Sequence, residues 1–161
     1  MQIIIIMGVS GAGKTTVGRL LSERVKLPFY DADDFHPEEN KDKMKLGFPL
    51  DDDDRQPWLD MLSNKIEGWS KDSGAVLACS ALKEKYRAQL SKAAGGKVTW
   101  IYLKAEMSEI KMRLSLRTQH FFNPRLLSYQ FDDLEEPKYG LRIDSNQSPS
   151  FSVDEIMNYL K

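Results

Sequence analysis

The chain has 161 residues, of which 41% are hydrophobic and 29% charged, and its net charge is −1. These values are typical of one globular domain with a substantial core, and they give no basic footprint for nucleic acid. The longest apolar run, Ile3 to Met7, is far too short to cross a bilayer, and we find no signal-peptide pattern. The single cysteine, Cys79, excludes an internal disulfide framework. We therefore predict a single domain over residues 1–161 that works in the cytoplasm.

Strand-like and helix-like segments alternate along the chain. Short apolar runs predict strands at 2–7, 28–31, 75–79, 98–103 and 141–144. Helical spacing of apolar residues, or helix-favouring composition, predicts helices at about 14–26, 35–46, 56–70, 83–92, 106–117, 126–134 and 153–160, with a loop at 118–125. This alternation predicts an α/β fold with a parallel sheet. Ligands bind such sheets at the carboxyl ends of the strands, so the segments that follow the strands are the candidates for a site.

The segment Gly8–Thr15 is the most informative of these. It reads Gly-Val-Ser-Gly-Ala-Gly-Lys-Thr, which fits the phosphate-binding P-loop between a strand and a helix. Glycines let the backbone approach phosphate oxygens closely, and Lys14 and Thr15 are then placed for the β- and γ-phosphates and for Mg²⁺. The predicted ATP-binding residues here are Gly8, Ser10, Gly11, Ala12, Gly13, Lys14, Thr15 and Thr16. The alternative, a chance glycine-rich turn, is disfavoured by the Lys-Thr pair and by the flanking elements.

Asp31 and Asp33 follow the second predicted strand at alternate positions. One such carboxylate can hold Mg²⁺ through a water while the other accepts the proton of a substrate hydroxyl. The alternative is an acidic turn in which Asp34 caps the next helix.

The run Asp51–Asp54 is best interpreted as a solvated loop that enters a helix N-terminus. Arg55 follows this run, and its forked guanidinium can hold a carboxylate or a phosphate.

Two pairs of basic residues have helical spacing near strand ends. Lys83 and Arg87 lie one turn apart after the third strand, a spacing that lets both face one ligand. Arg113 and Arg117 have the same spacing and are placed to clamp ATP phosphates from a mobile lid and to stabilise transition-state charge. The alternative for both pairs is a solvated helix face. His120 is either a polar substrate contact or loop surface, and the two histidines of the chain do not have metal-site spacing.

Several longer motifs are much more specific than the P-loop alone. They include Met7-Gly8-Val9-Ser10-Gly11-Ala12-Gly13-Lys14, Asp31-x-Asp33 with His36-Pro37, Asp52-Asp53-Asp54-Arg55-x-Pro57-Trp58-Leu59, Cys79-Ser80-Ala81-Leu82-Lys83, Arg117-x-x-His120-Phe121-Phe122, and Gln130-Phe131 with Leu134-Glu135-x-Pro137. Together these motifs, which run through most of the chain, resemble the gluconokinase family of small P-loop kinases. After Pro137 the resemblance is weak.

The resemblance implies a three-layer α/β/α fold like that of nucleoside-monophosphate kinases and shikimate kinase, with a five-stranded parallel sheet and a mobile lid at about 117–125. It implies phosphoryl transfer from Mg-ATP to the C6 hydroxyl of D-gluconate, which gives 6-phosphogluconate, and it implies a homodimer. Lys14, Asp33 and Arg117 are then the catalytic residues, and Thr15 and Asp31 hold the metal. The implied gluconate ligands are Asp33, His36, Arg55, Lys83, Arg87 and His120. An adenine-contacting loop is expected at about 145–149.

Two other functions fit part of the pattern. One is a kinase of the same architecture for another small acid or a nucleotide, and the His36-Pro37 and Arg55-x-Pro57-Trp58 segments favour gluconate over it. The other is a non-catalytic ATP-binding module, which the intact Lys14, Thr15 and paired aspartates count against.

Overall fold

The computed structural model describes residues 1–116 and 123–161. The strands are β1 (Ile3–Met7), β2 (Phe29–Asp31), β3 (Ala75–Ala78), β4 (Val98–Lys104) and β5 (Leu141–Asp144). The helices of the described residues are α1 (Lys14–Val25), α2 (Glu38–Lys45), α3 (Asp52–Lys71), α4 (Glu84–Ala93), α5 (Met107–Ser115), α6 (Leu127–Asp133) and α7 (Pro149–Tyr159). Short 3₁₀ turns occupy Ala32–Phe35 and Pro124–Leu126. No helix in these two ranges is long and apolar enough to span a membrane.

The five strands form one parallel sheet in the order β2-β3-β1-β4-β5. All five residues of the central strand β1 are fully buried, because helices cover both faces of the sheet. Ile3, Ile5 and Met7 face a core built with α3 and α4. Ile4 and Ile6 face the opposite core, to which α1, α5, α6 and α7 contribute. The predicted three-layer α/β/α architecture is therefore confirmed.

The helix α3 begins four residues earlier than the sequence pattern predicted. Asp51 caps it: its carboxylate accepts from the Asp54 backbone N–H at 2.7 Å, and the Asp54 carboxylate accepts from the Asp51 N–H at 3.0 Å. Pro57, expected in the first turn, consequently lies in the second, where it leaves one helical hydrogen bond unmade.

Asp51 and Asp53 of the aspartate run are exposed, as expected, whereas Asp52 and Asp54 have partners in other segments of the chain. Asp54 forms an ion pair with Lys43 of α2 at 2.6 Å. Asp52 accepts hydrogen bonds from Lys83, Lys85 and the Tyr86 hydroxyl. Because these bonds all stabilise the ionised form, the pKa of Asp52 lies well below its usual value. The run therefore joins α3 to α2 and α4.

Candidate active site

A cavity of about 350 Å³ opens at the carboxyl edge of the sheet. Five stretches of chain line it: the P-loop, the segment after β2, the α2–α3 region, the segment after β3, and α6. The predicted site residues that it brings together are Ser10, Gly11, Gly13, Lys14, Thr15, Thr16, Asp31, Asp33, His36 and Arg55. These side chains come from three different segments of the chain, so the fold assembles most of the site that the sequence indicated.

The P-loop has the backbone that a phosphate cradle requires. Gly8 has a φ of +149°, and a Cβ there would lie 2.8 Å from the Leu103 carbonyl oxygen. Gly13 stands at the N-cap of α1 with a φ of +98° and contributes no side-chain cap, which leaves the first N–H groups of the helix for a ligand. The Lys14 ammonium crosses the loop and donates to the Val9 carbonyl at 2.9 Å. The loop thus fits the phosphates of a nucleotide.

The residues predicted to hold the metal are in direct contact. The Thr15 hydroxyl donates to one oxygen of Asp31 at 2.9 Å, and the Asp33 backbone N–H donates to the other at 3.0 Å. This pair offers only hard oxygen donors, which suits Mg²⁺ better than a softer metal. Within the described ranges no group of three or more His, Cys, Asp or Glu side chains is arranged for a metal. Thr15 and Asp31 therefore fit an ion that takes most of its ligands from water and phosphate.

Asp33 has the electrostatic setting of a proton acceptor. Asp33 lines the cavity and is exposed there. Partial desolvation of its carboxyl by the surrounding protein, reinforced by the charge of Asp31, raises the pKa of Asp33 above the ordinary 3.8, and Lys14 opposes the shift. A carboxylate with a raised pKa is a better base than one in water, so Asp33 is suited to accept a proton from a hydroxyl in the cavity.

His36 lines the same cavity, and neighbouring side chains hold its ring in place. Its ring stacks on Trp58 with centroids 4.3 Å apart, and the Trp58 indole N–H donates to the Ala32 carbonyl at 2.8 Å. The Asn40 amide donates to the Asp54 carbonyl at 2.8 Å and contacts His36 Nδ1 at 3.2 Å. Burial, aided by the positive charge of Arg55, lowers the pKa of His36 to about 4. The ring is therefore neutral at pH 7, and with Nδ1 accepting from Asn40 it carries its proton on Nε2 as a donor for the cavity.

Arg55 presents its guanidinium to the same cavity. Nη1 donates to the Tyr86 hydroxyl at 2.9 Å and Nη2 to Asp133 at 3.0 Å. The side chain of Arg55 is only 11% exposed, so the pair with Asp133 is partly desolvated and orients the fork. Asp133 was not among the predicted site residues, because it lies 78 residues from Arg55 along the chain.

Lys83 and Arg87 do not line the cavity, so the structure does not bring them together with the other predicted substrate residues. Lys83 forms an ion pair with Asp52 at 3.0 Å. The Arg87 side chain is 1% exposed, and it donates to the backbone carbonyls of Ala81, Leu82 and Glu135 at 2.7, 3.1 and 2.6 Å. The reason is geometric: the helical spacing of the two residues is real, but Arg87 faces the protein interior and satisfies loop carbonyls there.

Replacing Arg87 with Met is expected to destabilise the fold and to leave substrate affinity unchanged. Each buried acceptor that loses its donor costs roughly 1–3 kcal/mol, so the variant should lose about 3 kcal/mol of unfolding free energy after some relaxation. Urea unfolding followed by fluorescence measures this loss. The KM for the acceptor is the control, and a large rise in KM without loss of stability would restore Arg87 to the substrate site.

A second cavity of about 290 Å³ adjoins the other side of the P-loop. Gly11, Thr16 and Arg113 line it together with the loop after β5, residues 145–147. Arg113 donates to the Gly11 carbonyl at 3.0 Å and to the Ser145 carbonyl at 2.9 Å. Arg113 thus ties the P-loop to the segment where an adenine-contacting loop was expected, instead of extending freely towards phosphates.

The rest of the predicted lid chemistry lies outside the described residues. Arg117 and His120 belong to the range 117–122, and their assigned roles stay predictions, as does the lid itself. Of the predicted lid, residues 123–125 are described: Asn123 caps the 3₁₀ turn through the Arg125 backbone N–H at 3.0 Å. Its side-chain amide also donates to the Lys45 carbonyl of α2 at 3.4 Å.

Comparisons with known proteins agree with this geometry. The family model described as shikimate kinase matches residues 10–159. A probable gluconokinase from Dictyostelium discoideum is 42% identical over 172 residues, which cover 99% of this chain and 86% of that protein. The crystal structure of a gluconokinase from Sinorhizobium meliloti 1021 has a TM-score of 0.85 and 34% identity, covering 99% of this chain and 95% of that one.

A further solved structure is more similar to this fold than the Sinorhizobium meliloti structure is. The unliganded crystal structure of a sugar kinase from Janibacter sp. HTCC2649 has a TM-score of 0.94 at 35% identity, and it covers 99% of this chain and 94% of that one. The relatives named as gluconokinases thus match nearly the whole chain, both in sequence and in fold. The chain therefore belongs to the gluconokinase family, among the shikimate-kinase-like P-loop kinases.

Proposed function

We propose that this protein transfers the γ-phosphoryl group of ATP to the C6 hydroxyl of D-gluconate, giving ADP and 6-phosphogluconate. The observation that carries the proposal is that one cavity joins a P-loop to a carboxylate with a raised pKa and to two polar donors, His36 and Arg55. The relatives named as gluconokinases support the choice of substrate.

The phosphate end of the cavity is built for charge stabilisation. Phosphoryl transfer needs little covalent chemistry from the protein, so positioning and electrostatics dominate. The P-loop N–H groups and Lys14 bind the β- and γ-phosphate oxygens, while Thr15 and Asp31 hold the metal. Mg²⁺, when bound, neutralises charge that develops on the phosphate oxygens.

The acceptor end of the cavity supplies the general base and the side chains that bind gluconate. Asp33 takes the proton of the C6 hydroxyl as that oxygen forms its bond to phosphorus, and the bond between phosphorus and the β–γ bridging oxygen breaks, which leaves ADP. The Asp33 proton then passes to solvent. His36 donates from Nε2 to a polyol oxygen, and Arg55 pairs with the single carboxylate of gluconate.

The test is ADP release from Mg-ATP by the purified protein with D-gluconate, shikimate, AMP, glucose or no acceptor. We expect release with gluconate alone. Release with another acceptor would keep the mechanism and overturn the substrate. Nucleotide binding without release on any acceptor would indicate a non-catalytic module and contradict the proposal.

Replacing Arg55 with Met is expected to raise the KM for gluconate by about 10-fold or more, because a hydrogen bond to a charged group contributes roughly 1.5–3 kcal/mol. Arg55→Lys, which keeps the charge and loses the fork, should lie between wild type and Arg55→Met. Steady-state kinetics measures both variants, with the KM for ATP as the control. Equal rises in the two KM values would show a general loss of structure instead of a substrate contact.

We also propose that Mg²⁺ is the metal, that two copies form a homodimer and that the protein works in the cytoplasm. The all-oxygen pair of Thr15 and Asp31 supports the first. The resemblance to the gluconokinase family supports the second, and the composition of the chain supports the third. Sedimentation velocity tests the dimer against the 18.5 kDa mass of one chain.

A further inference from the structure

Gln130 reaches the P-loop from a distant helix. It lies on α6, lines the main cavity, and accepts a hydrogen bond from the Ser10 backbone N–H at 2.7 Å, across 120 residues of chain. An amide N–H is only a donor, so the atom facing it must be the carboxamide oxygen. The chemistry of the contact thereby fixes which end of the Gln130 side chain is the NH₂ group.

The helix that carries Gln130 is itself firmly placed. Leu127 of α6 is 1% exposed in the core. The Leu134 N–H closes the helix on the Gln130 carbonyl at 3.0 Å, and directly after it the Glu135 N–H bonds to the Leu82 carbonyl at 2.8 Å. The Gln130 side chain therefore starts from a fixed backbone and ends on a fixed P-loop amide.

The NH₂ group of Gln130 is left with its two donors for the cavity. Within residues 1–116 and 123–161 that nitrogen has no hydrogen-bond partner, and no buried side-chain nitrogen or oxygen of these residues lacks one. The nitrogen is consequently accessible, and Gln130 lines the cavity that also holds Lys14 and Asp33.

We propose that Gln130 is a catalytic residue, anchored on Ser10 through Oε1 and donating from Nε2 to the γ-phosphoryl group during transfer. This inference rests on the proposed phosphoryl transfer and adds to it a neutral donor. A donor already held in place costs no reorganisation when charge develops on the phosphoryl oxygens, and removing one such donor typically lowers kcat by about 10²–10³-fold. A carboxamide also brings no charge that would neutralise Asp33.

Two variants separate the oxygen from the nitrogen. Gln130→Glu keeps an acceptor for Ser10 and replaces the donors with a negative charge, whereas Gln130→Met keeps the length and removes both functions. Asp132→Asn, an exposed position on the same helix, is the control for a charge change on α6. Binding of ADP and of a non-hydrolysable ATP analogue is measured by calorimetry without any acceptor, so the result does not depend on gluconate being the substrate.

We expect both Gln130 variants to bind ADP like the wild type. Gln130→Glu should bind the ATP analogue at least about 10-fold more weakly, and both should lose about 10²-fold or more in kcat while they stay folded at the assay temperature. If binding of ADP and of the analogue weakened equally, or if kcat stayed at the wild-type value, Gln130 would be only a structural contact. Tighter binding of the analogue by Gln130→Met would show that Gln130 competes with phosphate at Ser10, and would overturn the proposal.

Discussion

Replacing Asp33 with Asn is expected to lower kcat for gluconate by about 10²–10⁴-fold, the usual contribution of a positioned general base. The carboxamide keeps the size of the side chain and removes the acceptor for the hydroxyl proton. Affinity for ATP should change little, because Asp33 acts on the acceptor and not on the phosphate cradle. Steady-state kinetics with both substrates measures the split.

The same variant should be more stable than the wild type at pH 7. Since the pKa of Asp33 is raised in the folded protein above the ordinary 3.8, the folded state holds the proton more tightly than the unfolded state, and stability falls as the pH rises between these two values. Asp33→Asn removes the loss of stability that ionisation of this carboxyl causes. The gain in melting temperature should therefore be present at pH 7 and disappear below the unfolded pKa.

Asp34→Asn is the matched control for Asp33→Asn. Asp34 is the next residue along the chain, is exposed and does not line the main cavity. Its replacement should leave kcat near the wild-type value. If Asp34→Asn lost as much activity as Asp33→Asn, the acidic turn as a whole would matter and Asp33 would not be the base.

Replacing Lys14 with Met is expected to abolish most turnover, by about 10²-fold or more, while the protein stays folded. The ammonium spans the P-loop to the Val9 carbonyl and is placed to bind the β- and γ-phosphates. Met keeps the apolar stem and loses the charge. Steady-state kinetics measures the loss of turnover, and circular dichroism checks that the variant stays folded.

Lys111→Met, an exposed position on α5, controls for the loss of one positive charge. Wild-type turnover by Lys14→Met would remove Lys14 from the mechanism. A lowered melting temperature together with lost turnover would instead assign the effect to the bond with Val9.

The elements of this fold could be predicted from the sequence because their signals are local. The buried strand Ile3–Met7 and the P-loop after it are contiguous runs whose residue types fix their structure. The beginning of α3 was missed because a run of aspartates was interpreted as solvated, whereas Asp51 and Asp54 cap each other and Asp52 and Asp54 form ion pairs. Charge repulsion within the run is offset by partners that lie elsewhere in the chain.

Two contacts of the site that the sequence analysis did not predict share one property: the partners lie far apart along the chain. Arg55 meets Asp133 across 78 residues and Ser10 meets Gln130 across 120, separations that no local pattern reveals. Arg87 shows a different limit. Its helical spacing from Lys83 suggested a shared ligand, but spacing alone does not tell which side of the helix is buried. Sheet order is likewise set by packing between segments and not by the sequence of any one strand.

The phosphorus NMR spectrum of the organic product tests the central claim most directly. The protein is incubated with Mg-ATP and D-gluconate, and the phosphomonoester is observed with coupling to protons. We predict a resonance split by two methylene protons, which places the phosphate on the primary C6 hydroxyl that faces Asp33. Splitting by a single proton would place it on a secondary hydroxyl, and the absence of any new phosphomonoester resonance would contradict gluconate as the acceptor.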